Sequence, residues 1–334
     1  MPCRSVAEDR HARSSFPASL RGRFLEILTD IVLPVFAVIA AGYLATFSPA
    51  FDADVGGALA KFVFWFAIPV MLFHSLATKE MPSEIDLGYF AAYYGGVGTS
   101  FVLAIVLFRY LGHEELEFRI LAAFGSIYGN TVLIGIPVIL AALGERAGLP
   151  LFLLLSFHAV VFFSLVTFLV EGVARGHGKP LQVIGNALRG LATNPILIGL
   201  VGGVLWNRAG LSMPGVLDRF GDLMAGAALP CALFSVGASL RNYRLAGALR
   251  LSLAMVAVKM VLQPTLVAIL AFGVFGVDPL WASVAVIAAA MPTGVNAYLF
   301  AVRYEQAQTE TAAAMLLSTL LAVPVLTLIL HWLT

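Results

Sequence analysis

The chain has 334 residues, of which 60% are hydrophobic and 12% are charged, and its formal net charge is +1. Its mean hydropathy of +0.94 excludes a soluble domain of this size, which would need more charged residues to cover its surface. The small net charge does not indicate a nucleic-acid-binding protein. The two cysteines, Cys3 and Cys231, predict neither a disulfide framework nor a metal site.

These values indicate an all-α membrane protein with ten transmembrane segments, since about 20 apolar residues cross a bilayer as a helix. Residues 1–26 are polar and arginine-rich, and they predict a disordered tail rather than a signal peptide. Residues 27–173 are expected to form a first five-helix repeat, residues 174–191 a cytoplasmic linker, and residues 192–334 a second repeat. The apolar segments lie near residues 27–46, 58–78, 88–110, 117–143, 149–173, 192–208, 214–240, 246–275, 279–303 and 307–332.

One pattern occurs once in each half of the chain. Residues 67–73 read AIPVMLF, and residues 228–234, 161 positions later, read ALPCALF. The same offset relates two further pairs, Pro34 with Pro195 and Gly42 with Gly203. Because duplication of an odd number of spans places the second copy upside down, we expect two inverted repeats related by a two-fold axis in the membrane plane.

The fourth and ninth segments contain residues that interrupt helices. Residues 129–137 read GNTVLIGIP, and residues 291–296 read MPTGVN. Proline removes a backbone donor and glycine adds freedom, and in lipid the freed backbone groups must be buried in protein or face water. We therefore predict that helices 4 and 9 are discontinuous, cross each other and resume at Pro137 and Pro292. A pair of simple proline kinks remains the alternative.

The candidate substrate site consists of residues around these two breaks. Half-helix N-termini carry partial positive charge and free N–H groups, which bind anions. We expect unpaired N–H groups at Gly294, Val295 and Asn296, while Asn130 and Asn296 either bind a carboxylate or cap the backbone. The full set of candidate residues is Asn130, Thr131, Pro137, Pro292, Thr293, Gly294, Val295 and Asn296.

Four polar residues in apolar segments form a supporting set: His74, His158, Lys259 and Gln263. Lys259 lies mid-span, where a charge must pair with a helix end, a carboxylate or the substrate. A lone histidine on an apolar face is more often a core residue than a functional one. The chain has no Gly-x4-Gly-Lys-[Ser/Thr] loop and no His-Glu-x-x-His motif, so neither ATP-driven transport nor catalysis is expected.

Loop charges predict the orientation. With both termini outside, the inside loops carry ten Lys and Arg residues and the outside loops carry four, which fits the positive-inside rule. Five arginines of the tail, residues 4–23, oppose this orientation. We expect a multi-pass protein of the plasma membrane, or inner membrane in a bacterium, with both termini outside.

At these motifs the chain resembles the auxin efflux carrier family of membrane transport proteins, over about residues 28–333. The family includes plant PIN-formed auxin carriers and bacterial carriers of small carboxylates such as malate and malonate. Its patterns match residues 66–74 in segment 2, residues 130–137 in segment 4, residues 292–301 in segment 9, and Lys259 with Pro264 in segment 8.

The resemblance implies a fold of the bile-acid symporter and sodium/proton antiporter type, with inverted five-helix repeats. It places the substrate asparagine at Asn130, the crossover prolines at Pro137 and Pro292, and a plant glutamine at His158. It also implies a homodimer through spans 1, 2, 6 and 7. The plant proline-rich stretch after the span 9 crossover is replaced by Asn296 and Ala297, which makes auxin itself a doubtful substrate.

The sequence therefore predicts a secondary transporter of a small organic anion, working by alternating access or an elevator motion, with no cofactor or metal. Membrane lipid and the substrate are the expected partners, with no nucleic acid. The coupling ion, sodium or proton, stays open. The alternatives are a sodium-coupled symporter of the bile-acid type and an anion channel.

Overall fold

In the computed structural model, the described residues are 23–49, 51, 55–78, 86–176, 185, 189, 192–241 and 249–333. Among these residues the secondary structure is helical, apart from one isolated bridge between two extended residues. The helices that we number are α1 (Arg23–Ala45), α2 (Val55–Thr78), α3 (Leu87–Tyr110), α4 (Leu116–Ile127), α5 (Thr131–Leu143), α6 (Glu145–Ala174), α7 (Pro195–Arg208), α8 (Gly215–Leu240), α9 (Leu249–Val274), α10 (Pro279–Ala289), α11 (Val295–Tyr304) and α12 (Gln308–Leu333).

The described helices follow the predicted apolar segments closely. Seven of them are long and apolar enough to cross a membrane: α1, α2, α3, α6, α8, α9 and α12. The predicted segments 4 and 9 are each two helices, α4 with α5 and α10 with α11. Helix α1 begins at Arg23, inside the predicted tail; residues 1–22 and most of the predicted linker, residues 174–191, lie outside the described residues.

Side-chain caps set where several helices begin. Asp86 accepts a hydrogen bond from the Gly88 N–H at 2.7 Å at the start of α3, and Asn194 caps α7. Asp278 accepts from the N–H groups of Leu280 and Trp281 at the start of α10. Helices α7 and α10 also have proline at their first position, where the missing N–H has no intrahelical partner to lose.

Four of the prolines inside the described helices follow a π-helical stretch that ends two residues before the proline. Because proline lacks an N–H and its ring crowds the carbonyl four residues earlier, a wider turn lets the helix continue. The stretches Ile27–Val32, Val63–Ala67, Thr131–Gly135 and Val258–Leu262 precede Pro34, Pro69, Pro137 and Pro264. Pro230 of α8 and Pro324 of α12 are accommodated without such a stretch.

Glycine allows two pairs of helices to touch backbone to backbone. A Cβ on Gly42 of α1 would collide with the carbonyl oxygen of Phe234 on α8. A Cβ on Gly203 of α7 would collide with the carbonyl oxygen of Phe73 on α2. Gly42 and Gly203 are 161 positions apart, as are Phe73 and Phe234. Each copy of the repeated pattern therefore packs against the glycine-bearing helix of the other half.

The most deeply buried helices are α4 and α10. Every residue from 119 to 127, and every residue from 282 to 289, is buried. Large apolar side chains are exposed instead on the outer helices, for example Phe66, Leu223, Val261 and Trp332. In a membrane protein such exposed apolar faces are the ones that meet lipid. The interruptions of segments 4 and 9 thus come directly after α4 and α10 in the chain, at the centre of the protein.

Candidate functional site

The two interrupted segments meet at their breaks. Helix α4 ends at Ile127 and α5 begins at Thr131, while α10 ends at Ala289 and α11 begins at Val295. The Asn130 N–H donates to the Pro292 carbonyl at 2.7 Å, and the Gly294 N–H donates to the Tyr128 carbonyl at 2.9 Å. We call these two unwound segments, residues 128–130 and 290–294, the paired break. Each segment satisfies backbone groups of the other, which explains how both persist inside an apolar protein.

Close approach at the paired break depends on glycine. Gly129 and Thr293 form the isolated antiparallel bridge. A Cβ on Gly294 would lie 3.0 Å from the Gly129 carbonyl oxygen, and a Cβ on Gly129 would lie 3.3 Å from the Lys259 ammonium nitrogen. Any side chain at either position would push the two segments or Lys259 away.

The prediction that half-helices resume at the two prolines is wrong. Helix α5 begins six residues before Pro137, whose ring is accommodated by the π-helical stretch instead of a break. Pro292 does lie in the paired break, but three residues before α11, where its carbonyl accepts from Asn130. The Gly294 N–H, which was predicted to be unpaired, bonds to Tyr128. The long-range partners, not the prolines, decide where each helix stops.

Both half-helix N-termini lie next to the paired break. Asn130 caps α5 through its side-chain oxygen, which accepts from the Leu133 N–H at 3.3 Å. Its side-chain nitrogen has no hydrogen-bond acceptor among the described residues. At the start of α11, the N–H groups of Val295 and Asn296 likewise have no backbone acceptor in the described parts of the chain. These N–H groups and the two helix dipoles make the region favourable for an anion.

The remaining candidates divide between the site and its support. The Asn296 side-chain nitrogen donates to the Tyr128 hydroxyl at 3.2 Å. Thr293 is committed to structure, since its hydroxyl donates to the Gly125 carbonyl at 3.1 Å and its N–H donates to the Ser318 hydroxyl. Thr131 is buried, with a long contact of 3.5 Å from its hydroxyl to the Gly129 carbonyl.

Lys259 holds the C-terminus of α10. Its fully buried ammonium donates to the carbonyl of Ala289, the last residue of α10, at 2.5 Å, and to the Gln263 side-chain oxygen at 3.2 Å. A cation at a helix C-terminus is favourable because the unpaired carbonyls carry partial negative charge. The helix end was one of the three partners that the sequence allowed. The Gln263 side-chain nitrogen is buried without a partner among the described residues.

His158 joins this region, whereas His74 does not. His158 on α6 lies with its ring centroid 5.0 Å from that of Tyr128. His74 on α2 bonds instead to Asp218 of α8 at 2.7 Å, with Asp222 at 3.8 Å. His74 therefore ties two outer helices together, away from the paired break.

Tyr128 is the functional candidate that the sequence reasoning missed. It is buried, ends α4, accepts from Asn296 through its hydroxyl, and contacts the His158 ring. Its position directly before Gly129 and Asn130 was the available signal. The arrangement as a whole places neutral donors at two helix N-termini and a cation at one C-terminus. Such a set can hold a carboxylate without forming an ion pair with it.

Comparison with known proteins finds similarity over most of the chain. A family model described as membrane transport protein matches residues 27–330. A "Putative malonate transporter" of Rhizobium meliloti (strain 1021) is 30% identical over 308 residues, which cover 91% of this chain and 95% of that protein. Auxin efflux carrier components 8 and 5 of Arabidopsis thaliana are 24% and 23% identical, each over 89% of this chain, and cover 95% and 94% of their own lengths.

Proposed function

The chain belongs to the auxin efflux carrier family of membrane transport proteins, and we propose that it is a secondary carrier of a small carboxylate, with malonate as the leading candidate. The observation that carries this proposal is the pair of half-helix N-termini at the paired break. They offer the N–H groups of Val295 and Asn296 and the side-chain nitrogen of Asn130. The malonate assignment draws on the name of the Rhizobium relative.

Neutral donors favour a carrier over a tight binding protein. A carboxylate gains charge-assisted hydrogen bonds from N–H groups and helix ends, each worth about 1.5–3 kcal/mol. The Lys259 ammonium lies next to Gly129, but it donates to the Ala289 carbonyl at the end of α10. The anion is thus attracted and can also be released, which alternating access requires.

Two inverted repeats would supply the alternating motion. Support comes from the reciprocal packing of the two halves: Gly42 against Phe234, and Gly203 against Phe73. Adding 161 to the number of Gly42 and subtracting 161 from that of Phe234 turns the first contact into the second. A two-fold axis between two repeats produces this reciprocity. Within the proposal, residues 27–173 and 192–334 are these repeats, the half-helices cross at the paired break, and spans 1, 2, 6 and 7 form a homodimer in the plasma membrane with both termini outside.

The test is counterflow in proteoliposomes loaded with unlabelled malonate. External radiolabelled malonate, malate, acetate and indole-3-acetate would be compared, with membrane voltage clamped and sodium present or absent. We expect saturable uptake of a small carboxylate, reduced by Asn130→Ala and unchanged by Asn207→Ala. The control Asn207 is an amide on α7 that bonds to the Ala77 carbonyl, away from the paired break.

Three outcomes would count against the proposal. Single-channel currents without counterflow would favour an anion channel. Strict sodium dependence with a preference for large acids would favour the bile-acid type of symport. Equal loss of uptake in Asn130→Ala and Asn207→Ala, with both variants folded, would move the substrate site away from the paired break.

A further inference from the structure

His158 carries a buried ring nitrogen without a partner, directly beside the candidate anion site. The side chain is 2% exposed, and its Nδ1 lies 3.4 Å from the Tyr93 hydroxyl. Its Nε2 is fully buried and has no hydrogen-bond partner among the described residues. Buried polar atoms are seldom left unpaired in folded proteins, so an unpaired Nε2 indicates a function for this ring.

The ring is also connected to the anion donors through one residue. Tyr128 lies with its ring centroid 5.0 Å from that of His158, and the Tyr128 hydroxyl accepts from the Asn296 side chain. Tyr128 is the residue that leads into the paired break. A change of charge on His158 would therefore be felt at the site where a carboxylate would bind.

We propose that His158 takes up a proton when the anion binds, so that the carrier moves carboxylate and proton together. The inference rests on the proposed carrier function and names its coupling ion. In this step the neutral ring carries its hydrogen on Nδ1, facing the Tyr93 hydroxyl. The incoming proton, from water on the loading side, forms an N–H bond at Nε2, and that bond breaks when the anion leaves on the other side. A dianion and one proton therefore cross as a unit of net charge −1.

The surroundings of His158 explain why the two ligands would bind together. The ionisable groups around it are Tyr93 of α3, Tyr128 at the paired break and Lys259 of α9, and Tyr94 packs against the Tyr93 ring. No carboxylate among the described residues bonds to the ring. An imidazolium here would be a second buried cation beside Lys259, which is unfavourable without a counter-charge. A carboxylate at the paired break supplies that counter-charge, and by linkage each ligand raises the affinity for the other.

The test uses the full-length protein in voltage-clamped proteoliposomes, with malonate as the probe and an imposed proton gradient. If one proton moves with each malonate, the steady-state accumulation ratio should change about tenfold per pH unit, since one pH unit is equivalent to a tenfold ratio. A pH-sensitive dye inside the vesicles should report proton entry at one proton per malonate. His158→Gln keeps a group that can bond to Tyr93 but cannot take up a proton, so it should still exchange malonate yet accumulate none.

The matched control is His331→Gln. His331 also has a buried ring nitrogen without a partner, but it lies in the last turn of α12 against Phe24. Proton-driven accumulation should be the same in this variant as in the parent.

Gradient-driven accumulation by His158→Gln, or net malonate uptake by the parent without proton entry, would overturn the proposal. If His158→Gln fails to fold, the proton-to-malonate ratio of the parent decides. A different result would refute the carrier function itself: no counterflow of any tested carboxylate by the parent at any pH.

Discussion

Replacing Asn130 separates the structural role of the paired break from its role in binding. The Asn130 oxygen caps α5 by accepting from Leu133, and its nitrogen is the proposed anion donor. Asn130→Asp keeps the capping oxygen and adds a negative charge at a helix N-terminus, which offsets part of the cost of placing a carboxylate at a position that is 8% exposed. The protein should therefore stay closer in stability to the parent than Asn130→Ala, which loses the cap.

The same substitution should strongly weaken anion binding. It removes an amide donor, at a cost of about 1–3 kcal/mol, and sets a carboxylate against the substrate carboxylate. Two like charges about 4 Å apart at an effective dielectric of 20 repel by about 4 kcal/mol, so affinity should fall by about a thousandfold or more. Asn130→Ala should lose only about 1–3 kcal/mol of binding, together with about 1 kcal/mol of helix capping.

Binding isotherms for malonate and thermal unfolding of the purified protein measure the two effects separately. The expected order of affinity is parent, then Ala, then Asp, whereas the expected order of stability is parent, then Asp, then Ala. Asn296→Ala should weaken binding as much as Asn130→Ala or somewhat less, because its side-chain nitrogen is already bonded to Tyr128. If Asn130→Asp binds malonate as tightly as the parent, the paired break is not the substrate site.

Three further predictions concern charge, packing and orientation. Lys259→Met should lower malonate uptake by at least about tenfold, because it leaves the C-terminus of α10 without its cation; normal uptake by well-expressed protein would show that the lysine is dispensable. Gly237→Ala forces a Cβ against the Ile39 carbonyl and should lower the unfolding temperature in detergent by about 5 °C. Gly226→Ala on the same helix meets open space and should leave it unchanged, so equal effects of the two would refute the packing argument. Glu114→Cys should be shielded from an impermeant thiol reagent in intact cells and Leu211→Cys should react; the reverse pattern would invert the orientation.

The fold was largely predictable because lipid makes hydropathy informative. A backbone group that faces lipid must be satisfied within its own helix, so an apolar run of sufficient length is almost always a helix. The predicted segments agree with the described helices to within a few residues, including the short α7. The interruption of segments 4 and 9 was also predictable, since Gly129 and Gly294 lie inside apolar segments, where glycine destabilises a helix.

The exact position of the break in segment 4 could not be predicted from local sequence. Pro137 was the strongest local signal, yet a π-helical stretch absorbs it. The helix stops at Tyr128 because the Tyr128 carbonyl and the Asn130 N–H find partners at Gly294 and Pro292. These hydrogen bonds join residues more than 160 positions apart, and no periodicity within one segment contains that information.

The sequence also left open which partner Lys259 binds, because that partner is distant in the chain. A mid-span lysine must have a partner, but composition cannot say whether the partner is a substrate or a helix end. The geometry favours the helix end, with the Ala289 carbonyl at 2.5 Å, and this choice has a consequence for transport. A lysine bound directly to the carboxylate would hold it with an ion pair in a low-dielectric site and slow its release. In the proposed site, a lysine on the carbonyl side of the paired break instead cancels the negative end of α10, and the positive ends of α5 and α11 would contact the anion through neutral N–H groups.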